Sequence, residues 1–303
     1  MIALGLDIGA SHVRAAWRDG GAAVPLGTWR TPEPGELTAL VRRIAGALAA
    51  PIARLGVGLA GALDAAGAIC EWPNRPEYVG FAFTAACAEA CSLAADRVAV
   101  IDDCAAAALG EHHARGRAGA STLYVGVGTG IGAGAVLGGR LHLGARRRAF
   151  GLGHLPLRSA GDVACRCGRR GCLQAVASGR VLAERARAEG WTGGLLGQAA
   201  ATGDSRARVL ITDAARSLGE AIAGPAALLD PDCVVIGGGV AEAGDRLLEP
   251  LVASLRRHGS DVPVELARLG AHGGAIGAAW WADPSSIQEN LPTCPRNYPS
   301  TPE

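Results

Sequence analysis

The chain has 303 residues, 49% of them hydrophobic, and a formal charge of +1 from 29 basic and 28 acidic side chains. That length accommodates two domains, and a balanced charge supplies no field for nucleic acid or an anionic membrane surface. All 29 basic side chains are Arg, which excludes a lysine base, a Schiff-base lysine and any phosphate loop ending in Lys.

The opening segment, MIALGLDIG, has neither a charged leader nor a long apolar core, so no signal peptide is expected. No apolar run reaches the length of a membrane span, and a cytoplasmic, reducing location is the expectation. Residues 2–27 read as an apolar strand, a Gly-rich turn, a second strand, a Gly turn and a third strand; residues 123–144 repeat that pattern. This duplicated meander opens two α/β halves. After the first, a helix is predicted over 35–49, a strand over 55–59, a helix over 83–92, a strand over 97–101 and a helix over 103–115. After the second come a Cys-rich knuckle, helices within 179–201, a long Ala-rich helix over 205–229 and a buried strand over 233–236. A helix over 244–257, a strand over 262–267 and a helix over 273–282 complete the pattern. Alternating strands and helices imply α/β layers. The expected domains are 1–116 and 117–272, with a cleft between them and the 273–282 helix packing back on the first. Residues 283–303, rich in Pro, Ser and Asn, are expected to form a flexible tail.

Several short motifs carry chemistry. In Asp7-Ile8-Gly9-Ala10-Ser11, a strand-end carboxylate can hold magnesium through water, Gly9 lets amides approach phosphate, and Ser11 can donate to it. The same turn also serves a plain hairpin. The run 126–132, four glycines around Thr129, suits a backbone cradle for phosphate or a glycine-rich hairpin. Gly237, Gly238 and Gly239 end a strand and offer either a flat surface for a nucleoside or a tight strand–helix turn. Asp102 and Asp103 stand at a strand end and a helix start; one of them suits an N-cap, and a carboxylate there also suits a general base. His154, Cys165, Cys167 and Cys172 make a closed tetrahedral zinc set. Gly168 and Gly171 permit the tight turn, and disulfide pairing is the alternative. The other six cysteines, at 70, 87, 91, 104, 233 and 294, read as small core residues.

Taken in order, DIGAS, GLAGALD with a later PN, DD at a helix start, GTGIGAG, GHLP, CRCGRRGCLQ and VVIGGGV resemble the ROK family of sugar kinases and repressors, over residues 2–281. The resemblance implies an α/β, two-domain actin-like ATPase fold of the hexokinase type (ribonuclease H-like), with an interdomain cleft. It also implies a homodimer, ATP and Mg2+ as cofactors, and a structural Zn2+. By position, Asp103 resembles the catalytic base. Asp7, Gly9 and Ser11 resemble the first phosphate loop, Thr129 and Gly130 the second, and Gly237, Gly238 and Gly239 the adenosine site. Gly61, Asn74, Asp102, Asp103, His154 and Gln174 fall at sugar-contact positions, with His154 also a zinc ligand. The implied reaction is phosphoryl transfer from ATP to a sugar 6-hydroxyl, with Asp103 taking the proton.

The chain departs from the family pattern at four places. Asp102 replaces the usual Asn, Gly151 and Gln174 replace two Glu, and Ala10, Ser11 and His12 replace Gly, Thr and Lys. Asp102 adds a negative charge beside Asp103, which a substrate ammonium would neutralise. This favours 3-amino-3-deoxyglucose (kanosamine), a sugar of ansamycin-type antibiotic pathways; glucose, or another modified hexose or cyclitol, is the alternative. Repressors of this family carry a helix-turn-helix ahead of the first strand, and only Met1 precedes Ile2, so a sugar-sensing repressor is the remote reading. Asp103 and both phosphate loops speak against a catalytically dead sensor. The expected partner is a small sugar, with no nucleic acid and no membrane.

Overall fold

The computed structural model describes residues 2–147, 149–188, 190 and 196–283. The expected tail from 284, with Cys294, lies outside the described residues. In chain order the first elements are β1 (Ile2–Ile8), β2 (His12–Arg18), β3 (Val24–Arg30), α1 (Pro34–Gly46), β4 (Ile52–Leu59), β5 (Ala62–Leu63) and β6 (Ile69–Glu71). Next come α2 (Phe83–Ala90), β7 (Val98–Asp102), α3 (Asp103–Ala114), β8 (Thr122–Val127), β9 (Ile131–Leu137) and β10 (Arg140–His142). Then follow α4 (Gln174–Ala177), α5 (Gly179–Ala188), α6 (Leu196–Ala201), α7 (Ser205–Leu229), β11 (Cys233–Gly237), α8 (Asp245–Arg257), β12 (Val264–Leu266) and α9 (Gly273–Trp281). Among the described residues no helix is long and apolar enough to cross a membrane.

Two compact units are present. The first holds the described parts of Met1–Ala106, Leu143–Ala149 and Gly274–Glu303; the second holds Ala107–His142 and Phe150–Gly273. Each contains a five-stranded sheet, in the orders β3-β2-β1-β4-β7 and β10-β9-β8-β11-β12. In both, the three meander strands pair antiparallel, and the two later strands continue parallel to the first. The sequence repeat is thus a repeat of topology.

In the first unit the core joins β1, β4 and α1, whose buried Leu37, Leu40, Val41 and Ile44 recur at helical spacing. The stripe ends at Ile44, so the helix stops at Gly46, short of the predicted Ala49. Gly5 and Gly56 pair across β1 and β4. A Cβ at Gly5 would lie 2.1 Å from Ala275 O, and one at Gly56 would lie 1.9 Å from Ala278 O. These two positions form the notch that seats the small-residue face of α9. The hairpin β5–β6 is too short to show periodicity. It is made by the turn, where Asp64 Oδ1 accepts from Ala66 N and Ala68 N at 2.9 Å each. That hairpin leaves Cys70 exposed, and Cys91 and Cys104 are only half-buried, so of the expected core cysteines described here only Cys87 and Cys233 are buried.

In the second unit β8 and β11 are apolar and almost wholly buried, as parallel central strands are. Asp204 caps α7 by accepting from Ala207 N at 2.8 Å. Glu111, on α3 and 1% exposed, accepts from Arg268 N at 3.0 Å and Leu269 N at 2.9 Å and pairs with Arg115. Its carboxylate therefore satisfies two backbone donors and one guanidinium at once. Glu111→Ala strands all three in a buried place and is expected to cost about 3–5 kcal/mol in denaturant unfolding. A loss under about 1 kcal/mol would show that water replaces the carboxylate without penalty.

Candidate active site

The parallel register collects the candidate residues at the carboxyl ends of three strands of the first unit. Ile8 pairs with Leu59, and Leu59 with Asp102, so β1, β4 and β7 end in one row. Gly9–Ser11, Gly61 and Asp103 are the residues that leave that row. The crevice outside the carboxyl ends of parallel strands is where α/β folds bind ligands.

Asp102 is the N-cap of α3. Its Oδ1 accepts from Cys104 N at 2.9 Å and Ala105 N at 3.1 Å, leaving Oδ2 uncommitted to the helix. Asp103 Oδ1 accepts from the same Cys104 amide at 2.8 Å. Although Asp102 keeps an exposed rim, burial of its carboxyl, and then the Asp103 charge, push its pKa up to about 7. Burial raises Asp103 as well. Asp7 is raised to about 7 by burial and next by the Asp103 charge, with Arg14, 3.5 Å away, pulling the other way. Among the described residues neither Asp102 nor Asp103 has an ion-pair partner. Asp7 has Arg14 beside it, whereas the Asp102–Asp103 pair has no such cation among the described residues, and such a pair suits a divalent cation or a substrate ammonium.

The loop Gly9–Ser11 is pinned from behind by residues that carry no motif. Thr31 Oγ1 donates to Gly9 O at 2.6 Å, Thr31 N donates to Ser11 O at 3.0 Å, and Arg75 Nη1 donates to Ala10 O at 3.0 Å. A Cβ at Gly9 would meet only His12 O, at 3.5 Å, so the face of the loop is open. Gly61 packs on the segment that carries Asn74: its Cβ would lie 2.9 Å from Glu71 O and 3.2 Å from the Trp72 ring. Arg75 follows Asn74 directly. The only sequence signal for its role was a charged residue between two prolines in WPNRP.

In the second unit, Gly128-Thr129-Gly130 is the β8–β9 turn, in the same topological place as Gly9–Ser11 in the first. Gly128 has open space where a Cβ would be, and its carbonyl accepts from Gly179 N at 2.8 Å, which sets the N-terminus of α5 beside the turn. Such a terminus favours anions. Of the glycines at 237–239, two serve close packing. A Cβ at Gly237 would lie 2.3 Å from the Tyr124 hydroxyl, and one at Gly238, with φ +86°, 2.5 Å from Val127 O. Only Gly239 leaves open space for a ligand.

His154, Cys165, Cys167 and Cys172 come together, with their ligand atoms all within 4.8 Å of one another. Cys167 Sγ lies 3.8 Å from Cys172 Sγ, and Cys165 Sγ 4.0 Å from His154 Nδ1. A disulfide requires about 2.05 Å. Two thiolates at the usual 2.3 Å from a tetrahedral zinc are about 3.8 Å apart, so the donor set fits the ion. Hydrogen bonds from Arg169 hold the Cys167 thiol low, at about 6, while burial raises Cys172 to about 11. Gln174 Nε2 donates to Cys165 Sγ at 3.5 Å, which joins this expected sugar-contact position to the cluster.

Unit 1 thus carries Asp7, Gly9, Ser11, Gly61, Asn74, Asp102 and Asp103. Unit 2 carries Thr129, Gly130, His154, Gln174, Gly237–Gly239 and the thiols.

The family model described as ROK family matches residues 3–284. A kanosamine kinase of Amycolatopsis mediterranei is 37% identical over 290 residues, spanning 91% of this chain and 94% of that protein. A glucokinase of Halalkalibacterium halodurans is 35% identical over 207 residues, 60% of this chain and 62% of its own. Among solved structures, the ROK hexokinase of Thermus thermophilus is similar at TM-score 0.75 and 35% identity, covering 92% of this chain and 97% of its own. The ROK glucokinase of Streptomyces griseus, solved with glucose and AMPPNP, is similar at TM-score 0.77 and 28% identity, covering 92% of this chain and 98% of its own. These neighbours share the two-domain actin-like ATPase fold.

Proposed function

The chain belongs to the ROK family, and we propose that it is an ATP-dependent kinase for the 6-hydroxyl of a hexose, with a 3-amino sugar of the kanosamine type favoured over glucose. The observation that carries this reading is the Asp102–Asp103 pair. Oδ1 of Asp102 caps α3, and among the described residues no cation forms a salt bridge with either carboxylate. The likeness to the kanosamine kinase over nearly the whole of both chains supports it.

Mg-ATP supplies the transferable phosphoryl group when bound. Asp7 would hold the magnesium, and Gly9, Ser11, Thr129 and Gly130 the phosphates; the open space at Gly9 and Gly128 and the carboxylate of Asp7 at the end of β1 fit those groups. Gly239 lies open at the strand end where adenosine would rest. Asp103 accepts the sugar hydroxyl proton as the oxygen attacks. Gly61, Asn74, His154 and Gln174 orient the ring. Zinc on His154, Cys165, Cys167 and Cys172 holds the knuckle; with Nδ1 turned to the thiols, His154 keeps Nε2 for the sugar. A homodimer is the expected assembly. Glucose, or another modified hexose or cyclitol, is the competing substrate.

The test is a comparison of kcat/KM for kanosamine and glucose in the native enzyme and in Asp102→Asn. Asn caps helices as well as Asp, so the variant removes charge and keeps the helix start. A hydrogen bond to a charged group is worth about 1.5–3 kcal/mol, so the native preference for kanosamine should be roughly 10- to 100-fold after solvent screening. Asp102→Asn should shrink or reverse it, with the loss on the amino sugar. Equal use of both sugars by the native enzyme, or an unchanged ratio in the variant, would rule out charge pairing.

A further inference from the structure

We propose that Arg75 is a positioning residue that ties the sugar-contact segment to the first phosphate loop, so that one brace sets both ligands. The inference rests on reading Gly9–Ser11 as a phosphate loop and Asn74 as a sugar contact. Arg75 touches neither ligand in that scheme. Its guanidinium is a hub: Nη1 donates to Ala10 O at 3.0 Å and Thr31 O at 3.3 Å, and Nη2 to Pro32 O at 2.7 Å. Nε pairs with Glu77, Glu33 lies 3.5 Å from Nη2, and the guanidinium carbon stands 5.1 Å from the Tyr78 ring centre. The side chain is only 13% exposed. Tyr78, fully buried, donates its hydroxyl to the same Pro32 O at 2.8 Å, so the platform beneath the guanidinium is itself fixed.

The backbone at Arg75 is held equally firmly. Its amide donates to Trp72 O at 2.9 Å and its carbonyl accepts from Tyr78 N at 3.1 Å, which closes tight turns on both sides of Asn74-Arg75. The placement of Asn74 is therefore coupled to that of the guanidinium one residue on.

Peptide planarity carries the effect into the phosphate loop. In a trans peptide the C=O and the following N–H point in opposite directions. With the carbonyls of Gly9, Ala10 and Ser11 drawn toward Thr31 and Arg75, the amides of Ala10, Ser11 and His12 are turned the other way. Arg75 holds the middle of these three peptides, and so aims the Ser11 amide. An Arg fork suits this task because its planar donors reach several carbonyls at fixed angles, which a lysine ammonium does not.

The experiment compares Arg75→Met and Arg75→Lys with Ser11→Ala and Asn74→Ala. Mg-ATP is varied at saturating sugar and sugar at saturating Mg-ATP, using whichever of kanosamine or glucose turns over faster. Arg75→Met is expected to raise the KM for ATP about tenfold, the loss of one charge-assisted hydrogen bond, and the KM for sugar several-fold. Arg75→Lys should show the same two shifts, smaller. A residue that merely stabilised the fold would lower the melting temperature and the active fraction and leave both KM values alone. If Arg75→Met does not fold, Arg75→Lys decides by the same readout. Unchanged KM values in the Arg75 variants, with Ser11→Ala and Asn74→Ala each raising one, overturn the brace and spare the site reading. Unchanged KM values in all four overturn both.

Discussion

Asp103→Asn is expected to lower kcat by about two to four orders of magnitude, the usual contribution of a positioned general base, while the protein folds as before. The asparagine keeps an oxygen for the Cys104 amide, which donates to Asp103 Oδ1 at 2.8 Å in the native chain. What it loses is the ability to take a proton. Stability should hold or rise. Burial raises the Asp103 pKa above the ordinary 3.8, so the folded state holds its proton to higher pH than the unfolded chain does. Stability from such a group falls as pH rises through the window above 3.8, and at neutral pH the native carboxylate is a liability that Asn removes. A variant with higher melting temperature and collapsed kcat would separate catalysis from folding in one protein. Near-normal kcat would sink the assignment.

The same carboxylates set the pH profile. A base works only when deprotonated, so kcat/KM must fall as the pH drops through its raised pKa. With Asp102 at about 7 and Asp103 raised beside it, the acid limb belongs to the pair and lies well above the usual carboxylate range. Asp102→Asn removes the like charge and should move that limb to lower pH; a limb that stays in place would show that the pair does not interact.

Much of this site was legible because its chemistry sits where chain reversals force a signature. The meander repeat announced two similar halves, and the sheets repeat strand order as well as sequence pattern. Strand-end glycines and the Cys–His knuckle were visible for the same reason. What escaped has a physical cause in each case. The β5–β6 hairpin is two or three residues a side, below any period. Gly237 and Gly238 read as a nucleoside surface or a tight turn, and the sequence does not separate them, because a glycine needed for Tyr124 and Val127 to pack has the same one-letter code as one left open for a ligand. Asp102 was readable as a cap or as a charged contact, and the geometry permits both, one through each oxygen. Thr31 carried no signal, and Arg75 only its place between two prolines, because their carbonyl partners are backbone atoms, which every residue has.

The largest effect of all is expected from the metal. Purified without chelator, the protein should contain one zinc per chain, and stripping it should open the segment 155–173 rather than unfold the molecule. Structural zinc sites contribute roughly 10–16 kcal/mol in peptides that have no other core; this segment keeps Leu157, Ala160 and Leu173 in the core of the second unit, so the loss here is smaller and confined to the knuckle between them. Between those anchors its backbone bonds run mostly within the segment, such as Leu157 N to Gly171 O at 2.8 Å and Cys165 N to Arg169 O at 2.8 Å, with two isolated bridges. Val163 is exposed, as is Cys167. The rest of the second unit has its own core on α7, α8 and the sheet, which needs no ion. Loss of zinc should therefore be read locally. Arg166, Arg169 and Arg170 stand inside the knuckle, so trypsin should cut there in the stripped protein or in Cys172→Ser, and not in the zinc form. Sugar affinity should fail before nucleotide affinity, because His154 is a ligand and Gln174 bonds to one, whereas Gly128–Gly130 is fixed by β8, β9 and Gly179. Protein that carries no zinc, or a stripped form that resists trypsin and keeps its sugar KM, would leave the four ligands as a thiol cluster with no structural duty.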